Sequence, residues 1–205
     1  RRVQMFLAEK GIDLAAAGIE LVNVDLNAQE HKSAAFRAKS PLARIPALEF
    51  DDGRVLTETR AICTWIEGQY PEPNLMGVDA TERAFIEMAD RRIEWHLMLP
   101  LAQAIRHQHP GLAVLEQPQF PAFGASQQAK AMETLRWLDG LLRGQPWVAG
   151  QRFTIADITA FCTIEFARLL KFKPGEQGLA ALAAWRDRVA ERQPPRSDGG
   201  PVKPA

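Results

Sequence analysis

The chain has 205 residues, enough for one large domain or two modest ones. Hydrophobic residues make up 46% and charged residues 24%, the composition of a globular protein, which excludes a disordered or fibrous chain. The 25 Lys and Arg balance the 25 Asp and Glu, so no overall field draws the chain toward nucleic acid, and none is expected as a partner.

Cys63 and Cys162 are too few and too far apart for a disulfide scaffold or a cysteine zinc site. Both fall among apolar residues of predicted helices and read as small buried hydrophobes. No apolar run approaches the roughly 18 residues that span a bilayer, and no signal peptide is recognisable. The expected setting is cytoplasmic, without a membrane partner. The sequence opens at Arg1 rather than at an initiator Met.

Residues 1–70 read as short mixed α/β units. Val3, Phe6 and Leu7 recur at helical spacing over Arg2 to Lys10, and Gly11 stops that helix. Ile19, Leu21, Val24 and Leu26 predict a strand, although Val22 breaks strict alternation. A polar helix is expected over His31 to Lys39. "IPALEF" and "RVLT", joined by Asp51-Asp52-Gly53, predict a hairpin. Ile62, Trp65 and Ile66 then lie on one face of a helix over Glu58 to Tyr70.

Residues 71–81 are the expected linker, because Pro71 and Pro73 cannot continue a helix and Asn74 and Gly77 favour turns. Residues 82–193 show no strand pattern and predict an all-helical domain. Thr81 to His107 is one long helical pattern interrupted at Pro100, where a kink or break is expected. Pro110, Pro118 and Pro121 mark an irregular connection. Ala129, Met132, Leu135, Leu138 and Leu141 define a second amphipathic helix. A third opens at "FTIAD", and the last covers Leu179 to Arg192. Residues 194–205, rich in Pro and Gly, predict an unstructured tail.

"FTIADI" has a local explanation. Thr154 is placed as an N-cap and Asp157 at N3 can return a bond to its amide, a variant of the capping box, flanked by Phe153 and Ile158 as a hydrophobic staple. Asp157 read instead as a catalytic carboxylate lacks a paired acid at a suitable spacing.

The stretch "SPLARIPALEFDDGRVLTETRAICTWIEGQYPEPNLMG" resembles the glutathione-binding half of cytosolic glutathione transferases, whose usual pattern is Asn-Pro-x-Gly-Lys-(Val/Ile)-Pro, two strands, then a Glu-Ser or Glu-Thr pair opening a helix. "WVAGQRFTIADI" resembles the second hallmark of the family, in the helical domain. The likeness covers about residues 1–192. It implies an α+β, thioredoxin-like N-terminal domain followed by an all-α domain, glutathione as co-substrate, a homodimer, and a role in detoxification.

The resemblance also implies site residues. Ile45 and Pro46, joined by a cis bond in the family, would offer the Ile45 backbone to the cysteinyl unit of glutathione; an ordinary strand entry is the plainer reading. Thr59 and Glu58 suit the carboxylate and ammonium of the γ-glutamyl end, because a helix N-terminus presents unpaired amides and partial positive charge. Thr57 acting as a cap, with Glu58 favouring the helix dipole, would explain the same residues. Arg44 suits the glycine carboxylate, or is simply a solvated cation. Ser40 and Ala43 depart from the family's Asn and Gly.

In this family the thiol-activating Tyr, Ser or Cys lies between the first strand and first helix. Since the sequence starts within that helix, the activating residue is expected ahead of Arg1. Tyr70, the sole tyrosine, is a poor substitute. "RRIEWHLMLPLAQAIRHQHPGL" resembles a fungal and bacterial subgroup in which a histidine and a hydroxyl residue hold a water that deprotonates glutathione. His107 is the weak match; the hydroxyl position falls at Ala113. His107 with His109 lacks a third metal ligand, so no metal is expected. Trp95, Leu99 and His107, with Phe120 and Phe123, are expected to wall a pocket for an apolar electrophile, or else to fill the core. Asp90 and Arg91 are expected to reach a partner subunit.

The implied activity is conjugation of the glutathione thiolate to an apolar electrophilic substrate. The alternatives are a glutathione-dependent disulfide reductase and a non-catalytic transferase-like binding module.

Overall fold

The computed structural model describes residues 1–26 and 28–192; the tail expected to be unstructured, 194–205, lies outside the described residues. The chain divides into two compact units, Arg1–Pro73 and Asn74 onward.

In the first unit, helix α1 (Arg2–Glu9) buries Met5, Phe6 and Leu7. It packs on α3 (Thr59–Gln69), which buries Ile62, Cys63 and Ile66 on its facing side. Lys10, just past α1, is enclosed: its Nζ lies 2.5 Å from the Glu67 carboxylate and donates to the Pro73 carbonyl at 2.7 Å. A buried ammonium is tolerable only when paired in this way. The helix expected over His31 to Lys39 is divided into a 3₁₀ turn, Glu30–Lys32, and α2, Ala34–Lys39. Ser33 between them is extended, and its hydroxyl accepts the Phe36 amide, which starts a new helix instead of continuing the old turn.

Strands β1 (Ala47–Glu49) and β2 (Val55–Thr57) pair antiparallel in the predicted hairpin. The strand expected over residues 19–26 does not form. A strand needs a ladder partner, and the only sheet among the described residues is β1-β2. Leu21, Val22 and Leu26 are therefore exposed, and the Asp25 amide donates to the Glu30 carboxylate at 2.7 Å rather than to a neighbouring strand.

The second unit is helical. Asp79 caps α4 (Ala80–Ile93) by accepting the Glu82 amide, and the Glu82 carboxylate accepts the Val78 amide. Arg152 holds Glu82 at 2.7 Å and also donates to Asn74, tying the entry segment to the loop before α7. Gly77 in that segment has φ +104, and a Cβ there would lie 2.5 Å from the Arg83 backbone nitrogen, so only glycine fits.

Pro100 produces the expected interruption, but just ahead of itself. Proline offers no N–H to the carbonyl four residues back, that of His96. The chain passes through a π turn over Glu94–Met98 before α5 (Leu99–Gln108). The His96 carbonyl accepts instead from the Thr134 hydroxyl at 2.7 Å, across from α6 (Pro121–Gly144). That helix begins eight residues before the predicted Ala129, because Pro121 at the first turn needs no hydrogen-bond partner.

Helix α7 (Ile155–Ala167) is buried nearly all round and forms the centre of the unit. Its capping box forms as the sequence predicts, with Phe153 and Ile158 both buried. Helix α8 (Ala180–Glu191) packs Leu182, Trp185 and Val189 inward. It has no side-chain cap of its own; Asp139 of α6 accepts the Leu182 amide at 3.0 Å.

Candidate functional site

The hairpin register assembles the first-unit residues. Ala47 pairs with Thr57 as the last rung of the ladder, so Ile45-Pro46 and Glu58-Thr59 emerge at the same end of the sheet. The Ile45–Pro46 bond is cis. Ile45 is 45% exposed beside this edge. The preceding turn is closed by Ser40, 1% exposed, whose hydroxyl donates to the Arg44 carbonyl at 2.9 Å and accepts the Arg44 amide at 3.1 Å. Ser40 thus holds the turn at the position where the family usually has Asn. Ala43 has φ +53, which explains why Gly is the usual residue there.

Glu58 is the N-cap of α3, not its first turn, and Thr57 ends β2; the alternative in which Thr57 caps the helix is thereby corrected. Glu58 makes no capping bond, and its backbone is at φ 67, ψ 117. For a residue with a side chain this costs on the order of 1–3 kcal/mol, a strain that clusters at binding and catalytic sites. The eleven-residue α3 directs its unpaired first-turn amides to this edge. Arg44 and Glu58 are exposed and Thr59 is partly so. Among the described residues their side chains have no hydrogen bond or ion pair, a combination of cation, carboxylate and hydroxyl open to a zwitterionic ligand.

In the second unit, Trp95 and Leu99 are 60% and 45% exposed, while His107 is buried at 7%. The His107 ring lies edge-on to Phe123, centroids 5.1 Å apart, and its Nδ1 accepts the Phe120 amide at 3.1 Å. That bond leaves Nε2 as the protonated nitrogen. Phe120 is the N-cap of α6, so the imidazole anchors the entry to that helix. Ala113 lies in the turn after the 3₁₀ segment Pro110–Leu112 and supplies no hydroxyl. His109 is occupied separately, accepting the Gly111 amide at 3.2 Å.

The expectation that Asp90 reaches a partner subunit is corrected. Asp90 is 0% exposed within its own chain, and Arg91 donates to it at 2.7 Å while also pairing with Glu87 and Glu94. A helical periodicity that sets Asp90 with Ile86 and Ile93 on the inward face accounts for this burial.

Sequence reasoning did not single out His31, whose Nδ1 is enclosed without a hydrogen-bond partner in the 3₁₀ turn before α2. It also had no signal for the Glu58 backbone, since nothing but the folded hairpin and helix imposes a positive φ on glutamate.

A small α+β unit with a cis-proline beside a strained helix cap, followed by an all-helical unit built around a capped central helix, defines a thioredoxin-like glutathione-binding architecture. The family model described as the glutathione S-transferase N-terminal domain matches residues 1–74, and that of the C-terminal domain matches residues 102–193. Glutathione S-transferase 2 of Saccharomyces cerevisiae is 34% identical over 192 residues, covering 93% of this chain and 81% of the relative. Glutathione S-transferase GstA of Escherichia coli O157:H7 is 29% identical, covering 91% of this chain and 85% of the relative. Among solved structures, a glutathione S-transferase domain-containing protein of Marinobacter aquaeolei VT8 superposes with a TM-score of 0.85 at 39% identity, covering 93% of this chain and 92% of that one. The chain belongs to the glutathione S-transferase family. It is a glutathione-dependent transferase, with glutathione as co-substrate. No helix among the described residues is long and apolar enough to cross a membrane.

Proposed function

We propose that this protein conjugates the glutathione thiolate to small apolar electrophiles, as a cytoplasmic homodimer serving detoxification. Glutathione would lie along the edge where β1 begins and α3 opens. The Ile45 backbone would pair with the cysteinyl unit and Arg44 with the glycine carboxylate. Thr59, with the first-turn amides of α3, would take the γ-glutamyl carboxylate, and Glu58 the ammonium. Pro46 holds the Ile45 backbone turned toward the ligand. The observation that carries this reading is the strained Glu58 cap, with an uncommitted carboxylate, one step beyond the last rung of the hairpin.

Trp95 and Leu99 supply exposed apolar surface for the electrophile on the helical unit. His107 packs against Phe120 and Phe123, and with its Nδ1 committed to the Phe120 amide it acts as an anchor for the entry to α6. The thermodynamic demand on the site is modest. Bringing a thiol of pKa about 8.5 down by about two units takes about 2.7 kcal/mol of thiolate stabilisation. A helix N-terminus and one or two hydrogen bonds supply that much.

The test is a calorimetric titration of glutathione into wild type and Glu58→Ala. The variant should bind at least tenfold more weakly, about 1.4 kcal/mol, with unchanged circular dichroism. Unchanged affinity in the folded variant would overturn the site. Ultraviolet difference spectra taken from pH 5 to 9 should show bound thiolate well below the pKa of the free thiol. Saturable binding without that band would favour a carrier over a transferase.

A further inference from the structure

Ser40 ends α2 and opens the connection to β1, and it is buried although Pro41, Leu42 and Arg44 beside it are exposed. A buried hydroxyl needs hydrogen-bond partners, and this one finds both on a single residue. Its Oγ donates to the Arg44 carbonyl and accepts the Arg44 amide, while the Ser40 carbonyl accepts the Ala43 amide at 2.8 Å. Pro41 and Pro46, at the ends of the connection, have no N–H with which to anchor it. The backbone of Arg44 is therefore set by one side chain.

That turn is held against a backbone preference. Ala43, between the anchored points, lies at φ +53, in the left-handed region that a Cβ disfavours. Such a conformation persists only where its surroundings over-determine it. Here they are the Ser40 carbonyl on the Ala43 amide and the Ser40 hydroxyl on the next residue. Without the hydroxyl, Ala43 relaxes to negative φ, and rotation at that residue swings Arg44. The Arg44 guanidinium has no ion pair of its own among the described residues, so its position follows its backbone.

We propose that Ser40 is a positioning residue that makes this chain select thiols carrying the glycine carboxylate. The inference rests on the reading in which Arg44 takes that carboxylate. Ser40 touches no ligand. By fixing Arg44 it pre-aims the guanidinium, so the charge-assisted bond forms with little ordering cost. The thiol refused is γ-glutamylcysteine, which keeps the γ-glutamyl end and ends one residue earlier.

Calorimetric titrations of glutathione and of γ-glutamylcysteine into the full chain give the ratio of the two affinities. Because Arg44 is exposed, water can take over its amide and carbonyl, so Ser40→Ala should keep the wild-type circular dichroism. Wild type should prefer glutathione at least about tenfold. Ser40→Ala should bring the ratio below about threefold by weakening glutathione alone, with γ-glutamylcysteine within about twofold of wild type. Adding Ala43→Gly removes the steric reason for the turn to relax, and should raise the ratio again by at least about twofold. Ser40→Ala in an Arg44→Ala background should change nothing further, since the two act as one unit. No preference in wild type, an unchanged ratio in Ser40→Ala, equal weakening of both thiols, or no recovery with Ala43→Gly would each overturn the proposal. A ratio that survives in Arg44→Ala would overturn the reading of Arg44 itself. A ratio lost in Arg44→Ala but kept in Ser40→Ala would overturn the role of Ser40 alone.

Discussion

Asp157 offers the most quantitative test of how the helical unit is held together. Its carboxylate is fully buried and accepts the Val148 amide at 2.9 Å, the Trp185 indole N–H at 2.9 Å and the Thr154 amide at 3.0 Å, with the Thr154 hydroxyl at 3.4 Å. Burial pushes the carboxyl up to about 6 from its usual 3.8, although the donors from Val148, Trp185 and Thr154 pull the other way. Between those values the folded chain retains a proton that the unfolded chain has released. The associated stability is therefore fully present below about pH 4 and is lost as pH rises through about 6. A difference of about two units corresponds to about 3 kcal/mol. The perturbation is Asp157→Asn, which cannot titrate, and the assay is urea unfolding followed by tryptophan fluorescence at several pH values from 4 to 7. The unfolding free energy of wild type relative to the variant should shrink by about 3 kcal/mol over that range. In parallel, the carboxyl carbon resonance of Asp157 should titrate with a midpoint near 6. A difference that stays constant, or grows with pH, would refute the reasoning. It would mean that the four donors outweigh the loss of hydration and hold the carboxyl ionised.

Two further outcomes follow from tertiary bonds that replace missing local ones. Asp139→Ala leaves the first turn of α8 without the acceptor of its Leu182 amide, and should lower the unfolding free energy by about 1–3 kcal/mol in denaturant titrations. The pH signature of Asp139 has the opposite sign to that of Asp157. Burial raises its carboxyl, but the Leu182 amide and Arg143 outweigh burial and hold it below its usual value, so its contribution is lost as pH falls through the acid range. Thr134→Val removes the hydroxyl that satisfies the His96 carbonyl and should cost about 0.5–1.5 kcal/mol, with faster hydrogen exchange confined to the π turn and the start of α5.

The elements legible in the sequence are those whose cause lies within a few residues. The Thr154–Asp157 box joins groups three apart, the hairpin needs only a turn-forming Asp-Asp-Gly between alternating runs, and the amphipathic stripes of α1, α3 and α6 repeat within a turn or two. The two family hallmarks are also contiguous strings, which is why the edge proposed to bind glutathione, with Arg44, Ile45, Pro46, Glu58 and Thr59, is nameable before any fold is known. The failures share the opposite property. Residues 19–26 have strand-like alternation, but a strand exists only with a partner, and partner identity is not local. The family resemblance sends Asp90 to a partner subunit, yet the inward face of α4 and the neighbouring Arg91 take it in. The cap of α8 comes from Asp139, 43 residues earlier, and the π turn is stabilised by Thr134, 38 residues later. The sequence by itself therefore determined the family, the local caps and the residues of the hairpin edge. Only the tertiary structure decided the backbone of Glu58, the commitment of His107 to the Phe120 amide, and the supply of the α8 cap by Asp139. The first is imposed where a strand passes directly into a helix, the second joins residues 13 apart and the third residues 43 apart, and none of these pairings leaves a periodic trace in the order of residues.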